Sequence, residues 1–229
     1  MRDLPHAGRV STRARDDVRA FLREQASSLA PDPARGTGHE AAAVAKAEVH
    51  AGASVQRVTT ILLARHGETD WNRDGRYQGH ADPPLNDTGR EQARELGETL
   101  RGRPIAAVYS SDLRRASETA EIAARPLGLP VLLDSRLREI DVGSWQGRKH
   151  EENNGRPWDG ETHDAHRERV VAAVHEIAGA HPGETVLLVV HGGTLRRVQE
   201  AAVGEGLPVY ANCATWAVAV EDGEFRRID

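Results

Sequence analysis

The sequence predicts an α/β fold: a three-layer sandwich with a mostly parallel central sheet and helices on both faces. Val58 to Ala64 and Thr185 to Val190 are short apolar, β-rich runs, the pattern of strands buried on both sides. Helical patterns of 10–18 residues alternate with these and further short runs, roughly as βα units require. Both buried runs lead into a histidine followed by glycine, His66-Gly67 and His191-Gly192-Gly193. In open α/β sheets, ligands bind beyond the carboxyl ends of the strands, so these histidines mark the expected site.

The first 57 residues differ in composition from the rest. Asp16 to Leu29 reads as a short amphipathic helix with Val18, Phe21, Leu22 and Leu29 on one side, and Pro31, Pro33, Gly36 and Gly38 break it. Glu40 to His50 is Ala-rich and helix-prone but has almost nothing large to bury. Residues 1–57 are therefore expected to be a partly helical or disordered extension, and residues 58–229 the domain.

Within the domain, Thr88 to Leu100 predicts a helix, with Thr88 as N-cap and Glu91 three residues on. Ile105 to Tyr109 is a strand ending at Ser110 and Ser111, and Asp112 is placed to cap the helix bearing Arg114, Arg115, Thr119 and Ile122. Leu129 to Leu133 is a strand. Thr162 to Gly179 is a helix with Val170, Val171, Val174 and Ile177 on its apolar face. A helix through Val203 comes after His191. Thr215 to Val220 and Glu224 to Ile228 form a hairpin around Asp222-Gly223. There is no internal repeat.

Composition narrows the function. The net charge of −5 supplies no global positive field for nucleic acid or an anionic membrane. No apolar run approaches the roughly 18 residues of a membrane span. The single cysteine, Cys213, cannot form an internal disulfide, and charged residues interrupt the first segment where a signal peptide would be apolar. A cytoplasmic location is the expectation. An anionic substrate would have to be caught by local arginines, and Arg65 and Arg115 stand beside the strand ends.

These residues carry a resemblance. Arg65-His66-Gly67-Glu68-Thr69 looks like the signature of the histidine phosphatase superfamily, with its phosphoglycerate-mutase-like fold. Trp71-Asn72, Arg76-Tyr77-Gln78-Gly79, Asp82, Pro84-Leu85, Thr88-Gly89 and Gln92-Ala93 resemble the stretch immediately after that signature in the family. Ser110 through Ala116 with Thr119-Ala120 resembles its second motif. Leu137-Arg138-Glu139 with Gly143, Trp145 and Gly147 resembles the third, and His191-Gly192-Gly193 the fourth. The motifs keep the family's order over about residues 58 to 229.

The resemblance implies a metal-independent phosphomonoesterase acting on a small phosphorylated metabolite, with no cofactor. His66 would attack phosphorus and become phosphohistidine. Arg65, Arg115 and His191 would cage the transferred group. Asn72, Gln78, Gly79 and Gly192 would bind it, and Glu139 would serve as acid and base. Glu139 could instead pair with Arg136 or Arg138, and Glu68 is the nearest rival carboxylate. Gly192-Gly193-Thr194 at a helix start is also a generic anion site, expected to serve the phosphoryl group. Ser110 and Ser111 lack the G-x-S-x-G turn of a serine nucleophile. His163, Asp164, His166 and His175 could suggest a metal, but a solvated helix face fits them better.

Specificity is expected between Gly147 and Gly160, a lid short for the family, where Arg148, Lys149, Arg156, Trp158 and His163 are placed to touch substrate or simply to be exposed. A short lid admits water, which favours hydrolysis. A bisphosphoglycerate-dependent phosphoglycerate mutase, and a non-catalytic phosphate-binding protein, are the alternatives. A homodimer remains open.

Overall fold

The computed structural model describes residues 58–204 and 210–228. The expected extension and its two helical segments lie outside them. β1 (Thr59–Arg65), β2 (Ile105–Ser110), β3 (Val131–Leu133), β4 (Thr185–Val190), β5 (Thr215–Glu221) and β6 (Glu224–Arg227) form one sheet in the order β3-β2-β4-β1-β5-β6. The first four strands are mutually parallel where they pair; β5 runs antiparallel to β1, and β6 antiparallel to β5. The mostly parallel sheet is as the sequence predicts. The parallel strands alternate with α2 (Asp87–Leu100), α3 (Arg114–Ala124), α4 (His163–Ala180) and α5 (Gly192–Val203); a single turn, α1 (Asp70–Arg73), precedes them.

Alternation along β1 divides the core between two faces. Ile61 and Leu63 point to the side covered by Val170, Val174 and Ile177 of α4 and Leu195 and Val198 of α5. Leu62 and Ala64 point to the side covered by Leu96 and Leu100 of α2 and the alanines 116, 120, 123 and 124 of α3. Strand β4, Val-Leu-Leu-Val-Val after its first threonine, is buried along that whole run because it lies at the centre of the sheet. Val171, expected on the apolar face of α4, is only half-buried.

Two caps differ from expectation. The N-cap of α2 is Asn86, not Thr88: its side chain accepts the Gly89 N–H at 2.8 Å. Asp112 does not cap α3. Its carboxylate takes both arms of Arg138, at 2.7 and 2.5 Å, and Leu113 is the N-cap. The first N–H of α3, on Arg114, goes instead to Asp82, 32 residues upstream, at 2.8 Å. An anion near that helix start satisfies an orphan donor, whichever segment supplies it.

A third apolar cluster joins Ile140, Val142 and Trp145 to Tyr77 and to Trp158 of the lid. Main-chain bonds tie the start of the lid to residues 75–77: Tyr77 N–H to Arg148 O at 2.9 Å, Gly147 N–H to Tyr77 O at 2.8 Å, and His150 N–H to Gly75 O at 2.8 Å. Among the described residues, no helix is long and apolar enough to cross a membrane.

Candidate active site

Register brings the two histidines together. Arg65 pairs with Val190 across β1 and β4, so His66 and His191, each one residue further, emerge side by side at the carboxyl edge of the sheet. Their ring centroids are 5.2 Å apart. Both side chains are buried.

The tautomer of His66 is set by its contact. Nδ1 lies 2.7 Å from the carbonyl oxygen of Gly67. A carbonyl only accepts, so Nδ1 carries the proton and Nε2 keeps its lone pair. Burial is the main force holding His66 well below the usual histidine range, and the positive charges of Arg115 and Arg65 add to it. The imidazole is thus neutral, with one nitrogen available as a nucleophile.

The turn after His66 is held from several sides. Gly67 N–H donates to Thr119 Oγ1 at 3.0 Å, and that hydroxyl donates to Arg115 O at 2.6 Å. Gly67 and Gly89 pack backbone to backbone: a Cβ on Gly67 would stand 2.4 Å from Gly89 O. Asn212 Nδ2 donates to His66 O at 2.9 Å, and Cys213 N–H to Arg65 O at 3.0 Å. Asn72 spends its Oδ1 on the N–H and hydroxyl of Thr69, closing a capping box and leaving its amide donors for another acceptor. Glu68, the rival carboxylate, accepts from Asn86 Nδ2 at 2.9 Å.

The cage is buried and under-satisfied. Arg115 is fully buried; it donates to Ala81 O at 2.8 Å and to Gly79 O at 2.9 Å. Burial pulls its pKa down to about 10, so it remains cationic at neutral pH. Arg65 donates to Tyr210 O at 2.6 Å. Among the described residues, both ring nitrogens of His191, Nε of Arg65, Nε of Arg115 and Oε1 of Gln78 are buried without a hydrogen-bond partner. Buried polar atoms are costly unless something satisfies them, and the guanidinium donors among them, close to the His66 ring, suit an oxyanion such as a phosphoryl group.

Glu139 faces this centre from the segment between two 3-10 turns. Its Oε2 accepts the Gly193 N–H at 2.9 Å, and its Oε1 the Ile140 N–H at 2.9 Å. Thus one N–H of the glycine-rich helix start goes to Glu139 rather than to a ligand. The pairing with Arg136 or Arg138 does not occur: Arg136 binds Asp134 and Glu176, and Arg138 binds Asp112. Ser110 and Ser111 do end a strand and begin the approach to a helix: Ser111 Oγ accepts the Leu113 N–H at 3.3 Å.

Among the expected helix-face residues, His163 is exposed with its ring edge-on to Trp158, centroids 5.3 Å apart, whereas His166 is not on the solvated face. His166 is 1% exposed and sits under the site, with Nε2 3.3 Å from Thr194 Oγ1. Its position on α4 points inward beside Val170, one turn on. Among the described residues, no three His, Cys, Asp or Glu side chains gather as a metal site requires. In the lid, Arg148 lies over Trp145 at 5.1 Å, and Lys149 pairs with Glu151 at 3.6 Å.

Sequence reasoning missed Asn212, Tyr210 and Arg169, and the inward placement of His166. All four reach the site from segments distant in sequence, and no local motif marks them.

The family model for the histidine phosphatase superfamily (branch 1) matches residues 61–226. Phosphoglycerate mutase-like protein 4 of Arabidopsis thaliana is 40% identical over 161 residues, 62% of this chain and 70% of that protein. The metal-independent phosphoserine phosphatase of the same plant is 39% identical over 161 residues, 62% and 67%. A solved mycobacterial glucosyl-3-phosphoglycerate phosphatase, in complex with VO3, aligns with a TM-score of 0.65 and 28% identity, over 71% of this chain and 97% of that one. The chain belongs to branch 1 of the histidine phosphatase superfamily, as an enzyme of the phosphoric monoester hydrolase class.

Proposed function

We propose that the protein hydrolyses small phosphate monoesters, without a metal, through a phosphohistidine on His66. The observation that carries this is the His66–Gly67 contact, which fixes the proton on Nδ1 and leaves Nε2 free among unsatisfied cationic donors. In the first step the Nε2 lone pair forms a bond to phosphorus and the ester P–O bond breaks. Arg65, Arg115 and His191 hold the equatorial oxygens, and the donors of Asn72 and the backbone around Gly192 complete the cradle, with Gln78 and Gly79 at its wall. Glu139 gives its proton to the departing alkoxide. In the second step Glu139 takes a proton from water, the resulting hydroxyl bonds to phosphorus, the P–N bond breaks, and orthophosphate leaves.

The relatives' names point to two starting substrates, phosphoserine and glucosyl-3-phosphoglycerate. The test is a screen of phosphorylated metabolites in chelator, then His66→Ala, His191→Ala and Arg115→Ala on the best substrate. His66→Ala is expected to abolish turnover. The other two are expected to lose on the order of 2.7–4 kcal/mol of transition-state stabilisation each. Near-normal turnover by His66→Ala refutes the reading.

A further inference from the structure

The segment that carries Glu139 has little regular structure of its own. It runs between the 3-10 turns Ser135–Leu137 and Gly143–Trp145, so its carbonyls have no ladder partners and need others. One side chain reaches three carbonyls along this stretch. Arg169, two turns below the start of α4, sends Nη1 to Arg136 O at 2.7 Å and to Arg138 O at 3.1 Å, and Nη2 to Glu139 O at 3.4 Å. Its outer edge is locked by Glu161 in a two-point pair, Nε to Oε1 at 2.9 Å and Nη2 to Oε2 at 2.6 Å. Both partners are mostly buried, with side chains 23% and 18% exposed.

Two further contacts complete the grip. His80 Nε2 donates to Glu139 O at 2.9 Å. Thr194 Oγ1 donates to Arg138 O at 3.0 Å; with its proton committed there, the hydroxyl accepts from His166 Nε2 at 3.3 Å. The segment that carries Glu139 is therefore fastened to α4 and α5 through its backbone, immediately beside the carboxylate that accepts the Gly193 N–H.

We propose that Arg169, locked by Glu161, is a positioning residue that holds the Glu139 carboxyl at the phosphoryl site. The guanidinium suits this task because its planar fork presents several donors in fixed directions, which a lysine ammonium does not. The inference rests on the reading of Glu139 as the proton donor. A misplacement of about 1 Å can cost on the order of 100-fold when geometry governs the chemical step.

A purely structural role for Arg169 would slow all substrates alike; a positioning role would not. An alkoxide needs a proton to leave, whereas p-nitrophenolate leaves without one. The experiment compares kcat/KM, which reports phosphoryl transfer to His66, for p-nitrophenyl phosphate and for the best alkyl phosphate. It uses the full chain as wild type, Glu139→Gln, Arg169→Gln and Arg169→Lys, with thermal unfolding and vanadate inhibition alongside. Glu139→Gln is expected to lose about 100-fold or more on the alkyl phosphate and far less on the nitrophenyl ester. Arg169→Gln is expected to copy that selectivity, losing roughly 10- to 100-fold on the alkyl phosphate with vanadate inhibition unchanged. Equal losses on both esters, or none, while Glu139→Gln remains selective, would overturn the proposal alone. An unselective Glu139→Gln would overturn the assignment of the proton donor, and this inference with it. Where Arg169→Gln does not fold, Arg169→Lys and Glu161→Gln are read by the same ratio.

Discussion

The backbone N–H of Gly193 donates 2.9 Å to Oε2 of Glu139, and residue 193 has no room for a side chain at that approach. A Cβ there would stand 2.2 Å from Oε1 of Glu139 and 3.0 Å from its Cδ. The obstructed atoms are the end of a flexible side chain, so the cheapest relief is for the carboxylate to swing away. Gly193→Ala should therefore leave thermal stability nearly unchanged and lower kcat/KM on alkyl phosphates by about 10- to 100-fold. Alanine is also a better helix former than glycine, which offsets any small strain. A variant of wild-type activity would place the proton donor elsewhere.

Thr119 offers a stability test of the turn after His66. Its hydroxyl accepts from Gly67 N–H and donates to Arg115 O, all of it buried. Thr119→Val keeps the shape but leaves the Gly67 N–H without its acceptor, at a cost of about 1–3 kcal/mol. The same change frees the residue after His66, so activity should fall as well. Denaturant unfolding with the midpoint and slope both fitted checks the first expectation. An unchanged midpoint would mean that water or a shifted backbone satisfies that N–H.

The parts of this site that the sequence displays are those where chemistry lies at fixed local spacing. His66 and His191 each come directly after a buried strand, and the parallel pairing of those strands makes them neighbours. Arg115 and Glu139 come with their motifs; Arg115 is buried against the carbonyls of Gly79 and Ala81, and Glu139 accepts the Gly193 N–H. What escaped sequence reading depends on pairing across distance. Asp112 has the composition of a cap, yet Arg138 claims it and Asp82 accepts the first N–H of α3. His166 lies among polar residues, so its helix turn reads as solvated; only the helix phase set by Val170 and Val174 turns it inward. Arg169 is one arginine among many until three carbonyls converge on it.

Buried histidines also set a pH dependence of stability. Burial holds His66 and His191 well below the ordinary range, and His166 is lowered to about 4, again chiefly by burial. In the unfolded chain each titrates near 6.5. Below that pH the unfolded state binds protons that the folded state refuses, so stability is full above about 7 and falls as pH drops towards the folded values. Each of the three contributes up to about 1.4 kcal/mol per pH unit across that window. Glu98 and Glu161 have carboxyls lowered below the usual range and titrate at more acid pH, so the fall between pH 7 and 5.5 belongs to histidine. Denaturant midpoints measured across this interval should decline, and His166→Gln should flatten the decline. A midpoint that holds or rises would refute the neutral, buried assignment.

The last prediction concerns what becomes of the phosphoryl group. A mutase must keep a phosphohistidine from water while its partner turns over in the site, which calls for a closed lid and cationic groups gripping the far end of the substrate. Here the lid is tied by its first residues to 75–77, and its Trp158 packs on Tyr77 and the cluster of Ile140, Val142 and Trp145. Its basic residues are engaged or outlying: Arg148 on Trp145, Lys149 with Glu151, and Arg156 exposed. On the proposed mechanism, water should therefore reach phospho-His66 faster than a second hydroxyl can, with Glu139 taking its proton. Given 3-phosphoglycerate with and without 2,3-bisphosphoglycerate, the enzyme should release orthophosphate at a rate independent of the bisphosphate and form little 2-phosphoglycerate. Rapid isomerisation that requires the bisphosphate, with little phosphate released, would show that the lid closes over a grip formed only with substrate bound, and that transfer outruns hydrolysis.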